Sequence, residues 1–260
     1  MVKCIAIGPG AMGYFIFIGI ISKLKQEGRL DDLEEIAGAS AGGLLAFIYC
    51  LAKGDMTRVL DYSLGVPLKA LTKPNIKNFL TNYGLIPQNR IRSLISKAPL
   101  EFKIKNDPTF KELYDWFPLK IHISSYCIDL GKTMYFSVDT HPTMSVVDAV
   151  CASIAVPFVF SPLKLKDGWH YIDGGTAETL PGGPFLGRES MGLKLTWGKP
   201  ISVKDLKTYS MGILYSTMHL RYNYEMETIS VNVDDLDLYN YSASNEKKLR
   251  WFLLGYNFSH

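Results

Sequence analysis

Twice within its first 52 residues the chain runs from a short apolar stretch through a glycine-bounded turn into an apolar helix, and this repeat constrains the fold more than any other feature. Residues 3–7 read as a buried strand, Gly8-Pro9-Gly10-Ala11-Met12-Gly13 as a tight turn and residues 14–26 as a helix that Gly28 ends. A second strand through Ile36 and Ala37 leads into Gly38-Ala39-Ser40-Ala41-Gly42 and a helix reaching Ala52. Consecutive strand–turn–helix units imply an α/β domain with a mainly parallel sheet, whose functional turns lie at the carboxyl ends of the strands.

Beyond this repeat, residues 62–106 read as an irregular cap or insertion, with helical pieces cut by Pro67, Pro74, Pro87 and Pro99. Residues 121–129 and 134–138 form a predicted hairpin through Gly131, residues 145–154 a helix, and residues 169–172 a short strand ending at Asp173-Gly174-Gly175. Residues 193–197 and 245–254 are strand and helix candidates in a C-terminal extension, 185–260, expected to pack on the domain formed by 1–184.

The formal charge of +3 is too small to imply nucleic acid as a partner. Cys4, Cys50, Cys127 and Cys151 lie far apart among apolar neighbours, so they read as buried free thiols and not as metal ligands. The uncharged run of nineteen residues from Cys4 to Ser22 approaches the length of a membrane span, but Pro9 would break a helix through it and no small-residue cleavage site follows. The expectation is a soluble cytoplasmic protein, at most peripheral to membranes, without signal peptide or transmembrane helix.

Each glycine turn admits a chemical reading. The first matches G-x-G-x-x-G between strand and helix, the context of a dinucleotide site and hence of an NAD(P)-dependent oxidoreductase. That reading needs an acid at the end of the second strand, whereas Asp31 and Asp32 precede the strand. The second turn matches G-x-S-x-G, a sharp elbow that exposes Ser40 and leaves the Ala41 amide free to donate; a purely structural packing turn is the alternative. A serine nucleophile needs a base. His122 reads as a sheet residue, and in a Ser–Asp–His order only His219 or His260 follows the acid.

Together these motifs resemble the patatin-like phospholipase family of serine acyl hydrolases. Gly8–Gly13 resembles its glycine-rich oxyanion block, Gly38–Gly42 its elbow, Ala152-Ser153-Ile154-Ala155-Val156-Pro157 with Phe160 and Pro162 its proline block, and Asp173-Gly174-Gly175 its acid block. The resemblance covers residues 3–181. It implies a three-layer α/β/α domain with Ser40 as nucleophile and Asp173 as base, and with no histidine, metal or cofactor. It also implies an oxyanion hole drawn from Gly8, Gly10, Ala11, Gly13 and Ala41, with Gly10 as the position that a side chain would disrupt. Two positions depart from the family pattern, Pro9 for a glycine and Met12 for a cation. The implied function is hydrolysis of fatty-acyl esters of phospholipids or glycerolipids; a patatin-like fold that only binds lipid is the rival within the family.

Residues 62–106 also carry eight basic side chains, Lys69, Lys73, Lys77, Arg90, Arg92, Lys97, Lys103 and Lys105, against Glu101 alone. Interleaved with Leu68, Leu71, Phe79, Leu80, Tyr83, Leu85 and Ile86, this 69–105 segment is a candidate for transient membrane-surface contact.

Overall fold

Along β1 (Cys4–Ile7) alternate side chains serve two faces of the sheet: Ile5 and Ile7 enter the main hydrophobic core, Cys4 and Ala6 a smaller one with Leu180 and Phe185. The computed structural model describes residues 2–199, 203–204, 208–209, 212–213 and 224–258. Helix α1 (Tyr14–Gln26) follows β1, then β2 (Glu35–Ala39) and α2 (Ala41–Leu51). β1 and β2 pair in parallel from Cys4 opposite Glu35 to Ile7 opposite Gly38. α1 and α2 pack against each other over the main core, as right-handed crossovers between successive parallel strands require.

The predicted irregular cap is more regular than its prolines suggest. Helix α3 (Met56–Gly65) runs into it, it contains α4 (Ile76–Asn82), β3 (Gly84–Ile86), α5 (Gln88–Ile95) and α6 (Ala98–Glu101), and α7 (Phe110–Trp116) follows. The prolines begin elements instead of cutting them. Pro67 precedes a 3-10 turn, Pro87 caps α5, Pro99 lies in the first turn of α6, and Pro74 leads into Asn75, whose side chain accepts the Asn78 amide at 2.9 Å.

The predicted hairpin is β4 (Lys120–Cys127) with β5 (Lys132–Phe136), antiparallel, turning at Gly131 with φ 63°. Then come α8 (Val146–Ser153), β6 (Phe158–Phe160), β7 (Leu163–Lys164), β8 (His170–Asp173), β9 (Met191–Thr196), β10 (Glu227–Asn232) and α9 (Asn245–Tyr256). The central sheet runs β10-β9-β1-β2-β4-β8-β7, with β5 on the other edge of β4, and its β10-to-β4 part is parallel. This is a mixed α/β fold with a mainly parallel sheet. The segment after residue 184, read as an extension, supplies two of the sheet's strands. No helix among the described residues is long and apolar enough to cross a membrane.

Helix α9 lies across α1 at a glycine on each. A Cβ on Gly19 would sit 2.1 Å from the Phe252 carbonyl oxygen, and one on Gly255 2.0 Å from that of Ile16. Either glycine changed to alanine therefore pushes two backbones apart, which costs about 1–3 kcal/mol and lowers the thermal midpoint by several degrees. Thermal unfolding followed by circular dichroism measures this. Gly65→Ala, where nothing lies within 4 Å of the new carbon, is the control and causes no such drop.

Candidate active site

At the carboxyl end of β2 the chain turns sharply at Ser40, which has φ 55° and ψ −119°. Such backbone costs about 1–3 kcal/mol and persists only when its surroundings over-determine it. Here they do. The Ser40 N–H donates to Ser153 Oγ at 2.9 Å, from the last residue of α8. A Cβ on Gly38 would lie 2.4 Å from the backbone of Gly42, and one on Gly42 2.2 Å from the Ile7 carbonyl oxygen, so the elbow closes tightly on itself and on β1. Ser40 occupies the N-cap of α2, yet its side chain makes no capping bond, so the hydroxyl is free for other work.

The sheet register brings Asp173 to this hydroxyl. β2 ends with Ala39 opposite Ser124, and β8, running the other way, ends with Asp173 opposite Ser125. Because β5 holds the other edge of β4, the ends of β2 and β8 meet on one edge at consecutive positions. Asp173 is 3% exposed. Its Oδ1 accepts the Gly175 amide at 2.7 Å, and Oδ2 makes no hydrogen bond of regular geometry among the described residues. Burial pushes the carboxyl up to about 7, against the opposing pull of the Ser40 hydroxyl and the Gly175 amide. The Ser40 hydroxyl thus lies near enough to pull on the Asp173 carboxyl without a hydrogen bond of regular geometry.

The glycine-rich turn faces the same site, but not with all its amides. Gly8 N–H donates to the Leu193 carbonyl at 2.9 Å and Gly13 N–H to that of Gly10 at 2.7 Å, which removes both from the expected oxyanion donors. Met12 N–H is likewise spent on Leu238. Gly10, Ala11 and Ala41 line the cavity at Ser40, and their amides make no comparable backbone bond among the described residues. The left-handed backbone of the turn falls on Ala11, with φ 46°, while Gly10 has φ −171°. A Cβ at Gly10 would press on Leu195 and Phe17, the crowding expected of a side chain there. Gly174 and Gly175 form the 3-10 turn that carries the Oδ1 donor.

Ser40 and Asp173 open onto a cavity of about 180 Å³ whose walls are largely apolar, including Leu44, Ile48, Leu71, Ile91 and Leu94. Trp197, Tyr239 and Tyr241 also line it, from the part of the chain beyond the recognised motifs. Sequence reasoning missed them because those tyrosines lie in a loop without a motif. It equally missed Ser153, which was visible only as one letter of the proline block.

The rival assignments separate in space. His122 pairs with Glu35 at 2.8 Å, His141 with Thr140 at 2.9 Å and His170 with Asp129 at 3.2 Å, so none of the three is engaged with Ser40 or Asp173. His219 and His260 lie outside the described residues. Asp31 and Asp32 are exposed before the amino end of β2, the wrong end for a ribose. The four cysteines are buried and unpaired, and no cluster of metal-ligating side chains occurs among the described residues.

A strained serine on a strand–helix elbow thus faces a buried carboxyl whose pKa is pushed up to about 7. Residues 5–186 match the patatin family, described as patatin-like phospholipase, and the chain belongs to that family. It is 23% identical over 184 residues to "Probable lipid hydrolase 463L" of Invertebrate iridescent virus 6, covering 69% of this chain and 61% of the relative. It superposes on VipD from Legionella pneumophila with a TM-score of 0.63 at 17% identity, over 98% of this chain and 65% of VipD. The chain thus spans less than two thirds of either relative's length.

Asp173 has a consequence for stability. An acid whose pKa rises from 3.8 to about 7 on folding keeps a proton in the folded state that the unfolded chain has released, so stability falls as pH rises through that window. Asp173→Asn removes the titration: its stability is flatter across the window and exceeds that of the parent above it. Urea unfolding at a series of pH values measures the difference, and a variant less stable than the parent at the alkaline end contradicts it.

Proposed function

We propose that the protein hydrolyses a fatty-acyl ester of a phospholipid or glycerolipid through an acyl-Ser40 intermediate, with Asp173 as the base. The observation that carries this reading is the meeting of a strained serine and a buried carboxyl at the wall of an apolar cavity. In water a carboxylate is a weak base for a hydroxyl; with its pKa near 7, Asp173 is matched to neutral pH. Ser40 Oγ attacks the ester carbonyl carbon as its proton passes to the Asp173 carboxylate. The negative charge that develops on the carbonyl oxygen is met by the amides of Gly10, Ala11 and Ala41 and by the positive end of α2. Collapse of this intermediate expels the alcohol, which takes the proton from Asp173. Water then attacks the acyl-serine by the same route in reverse and releases the fatty acid. Leu44, Ile48 and Leu71 offer the acyl chain an apolar wall. The lipid-hydrolase name of the viral relative supports the substrate class.

Turnover of phospholipid and glycerolipid esters by purified protein tests the proposal. Ser40→Ala abolishes it without unfolding the chain, Asp173→Asn is about as damaging, and the double variant is little worse because the pair acts as a unit. In the parent, kcat/KM rises about tenfold per pH unit below about 7 and levels off above. Turnover that survives Ser40→Ala ends the proposal.

A further inference from the structure

Helix α4 turns an apolar face to solvent. It has no fully buried residue: Asn78 and Phe79 are half-buried, and the Asn78 side-chain amide fixes the helix by donating to Gly84 O at 2.6 Å and Ser161 Oγ at 2.8 Å. On the other side Ile76, Leu80 and the capping Tyr83 follow at i, i+4 and i+7, and they are 71%, 73% and 70% exposed. The patch continues across the small sheet. Gly84, next to Tyr83, pairs with Phe158, which is 41% exposed and held at φ 67°. Single exposed apolar residues are ordinary; four large ones on one mounted helix and its neighbouring strand mark an interaction surface.

The charges around the patch indicate what covers it. Lys69, Lys73 and Lys77 are exposed and make no ion pair among the described residues, while Arg92 is neutralised by Asp107 and Asp148, and Lys105 by Glu112. The basic run of the sequence thus loses Arg92 and Lys105 to acids, while Lys97 and Lys103, farther along the chain, stay exposed and extend the positive surface beyond Lys69, Lys73 and Lys77. Of its interleaved apolar residues, Leu71 and Ile86 are buried and Leu68, Phe79 and Leu85 half-buried, leaving Leu80 and Tyr83 outside with Ile76. The same short segment serves both surfaces: Leu68 and Leu71 line the cavity, and Lys69 and Lys73 between and beyond them face solvent.

We propose that the outer face of α4, with Phe158 beside it and Lys69, Lys73 and Lys77 around it, docks on an anionic membrane surface and sets the cavity wall against its lipid. Headgroup phosphates pair the free lysines while Ile76, Leu80, Tyr83 and Phe158 reach the acyl boundary. Its use rests on the acyl-lipid reading of the site, but the docking is measurable without catalysis.

The test is sedimentation of the full chain with phosphatidylcholine vesicles, with and without phosphatidylserine, run beside hydrolysis of a soluble short-chain ester. The parent and Ser40→Ala both bind when phosphatidylserine is present, and binding weakens as salt is raised. Each lysine near an anionic surface is worth about fivefold in partition, so Lys73→Glu with Lys77→Glu lowers binding by roughly 25-fold or more. Ile76→Ser with Leu80→Ser lowers it by at least about tenfold. Both pairs keep the ester rate and the thermal midpoint. Lys3→Glu, before the amino end of β1 and so at the opposite pole of the sheet, binds as the parent does. A parent that ignores phosphatidylserine vesicles, or α4 variants that bind unchanged, overturns the proposal. So does an α4-dependent dimer in solution, since a second copy would then cover the face. Vesicle binding without any ester hydrolysis leaves the docking standing and defeats the catalytic reading alone.

Discussion

The site depends on one edge of one strand. β4 accepts β2 in parallel up to Ser124 and β8 in antiparallel from Ser125 onward, so two chain ends arriving from opposite directions stop at adjacent positions. Ser40 is the first residue past one end, and Asp173 is the last residue of the other. Backbone hydrogen bonds therefore fix the separation of the two groups, and a shift of one register step in either strand would reverse the faces and part them. The antiparallel β8 at the border of a parallel sheet is what makes this meeting possible.

The same burial does two jobs. Removing Asp173 from water raises its pKa toward neutrality, and in the proposed reaction the apolar cavity walls beside it receive the acyl chain. The buried acid opposes stability near and above neutral pH, as does the left-handed backbone of Ser40 at any pH. They are held in place by Ser153, by the close contacts of Gly38 and Gly42, and by the packing of α1, α2 and α8 behind them. The segment beyond residue 186 takes part too: Leu193 and Leu238 accept the Gly8 and Met12 amides, which orients the glycine-rich turn and decides which of its donors remain free.

Much of this was legible in the sequence because local pattern determined it. Strand, glycine turn and helix at residues 3–26 and 36–52 appear as β1-α1 and β2-α2, and the hairpin as β4-β5. The strand after Glu35 extends through Gly38 and Ala39, since a tight elbow leaves the backbone extended until Ser40 itself. What depends on distant chain was not legible. No spacing says that Gly8 spends its amide on Leu193, that the strand near residue 193 inserts beside β1, or that Tyr241 lines the cavity. Prolines 67, 74, 87 and 99 suggested interruption because proline ends a helix and also begins one, and only the caps distinguish the two. The exposed side of α4 was hidden for a related reason: at the level of composition Leu80 and Phe79 look alike, and only tertiary packing turns one inward.

The central claim is that the Asp173 carboxyl sets the reactivity of Ser40. The rate at which a fluorophosphonate labels the protein, followed by mass spectrometry of the labelled peptide across pH, tests it most directly. The account predicts labelling at Ser40 alone, with a rate that rises through pH about 7 in the parent and is slow and flat in Asp173→Asn. Labelling at another residue, or a pH profile that Asp173→Asn leaves unchanged, would contradict it.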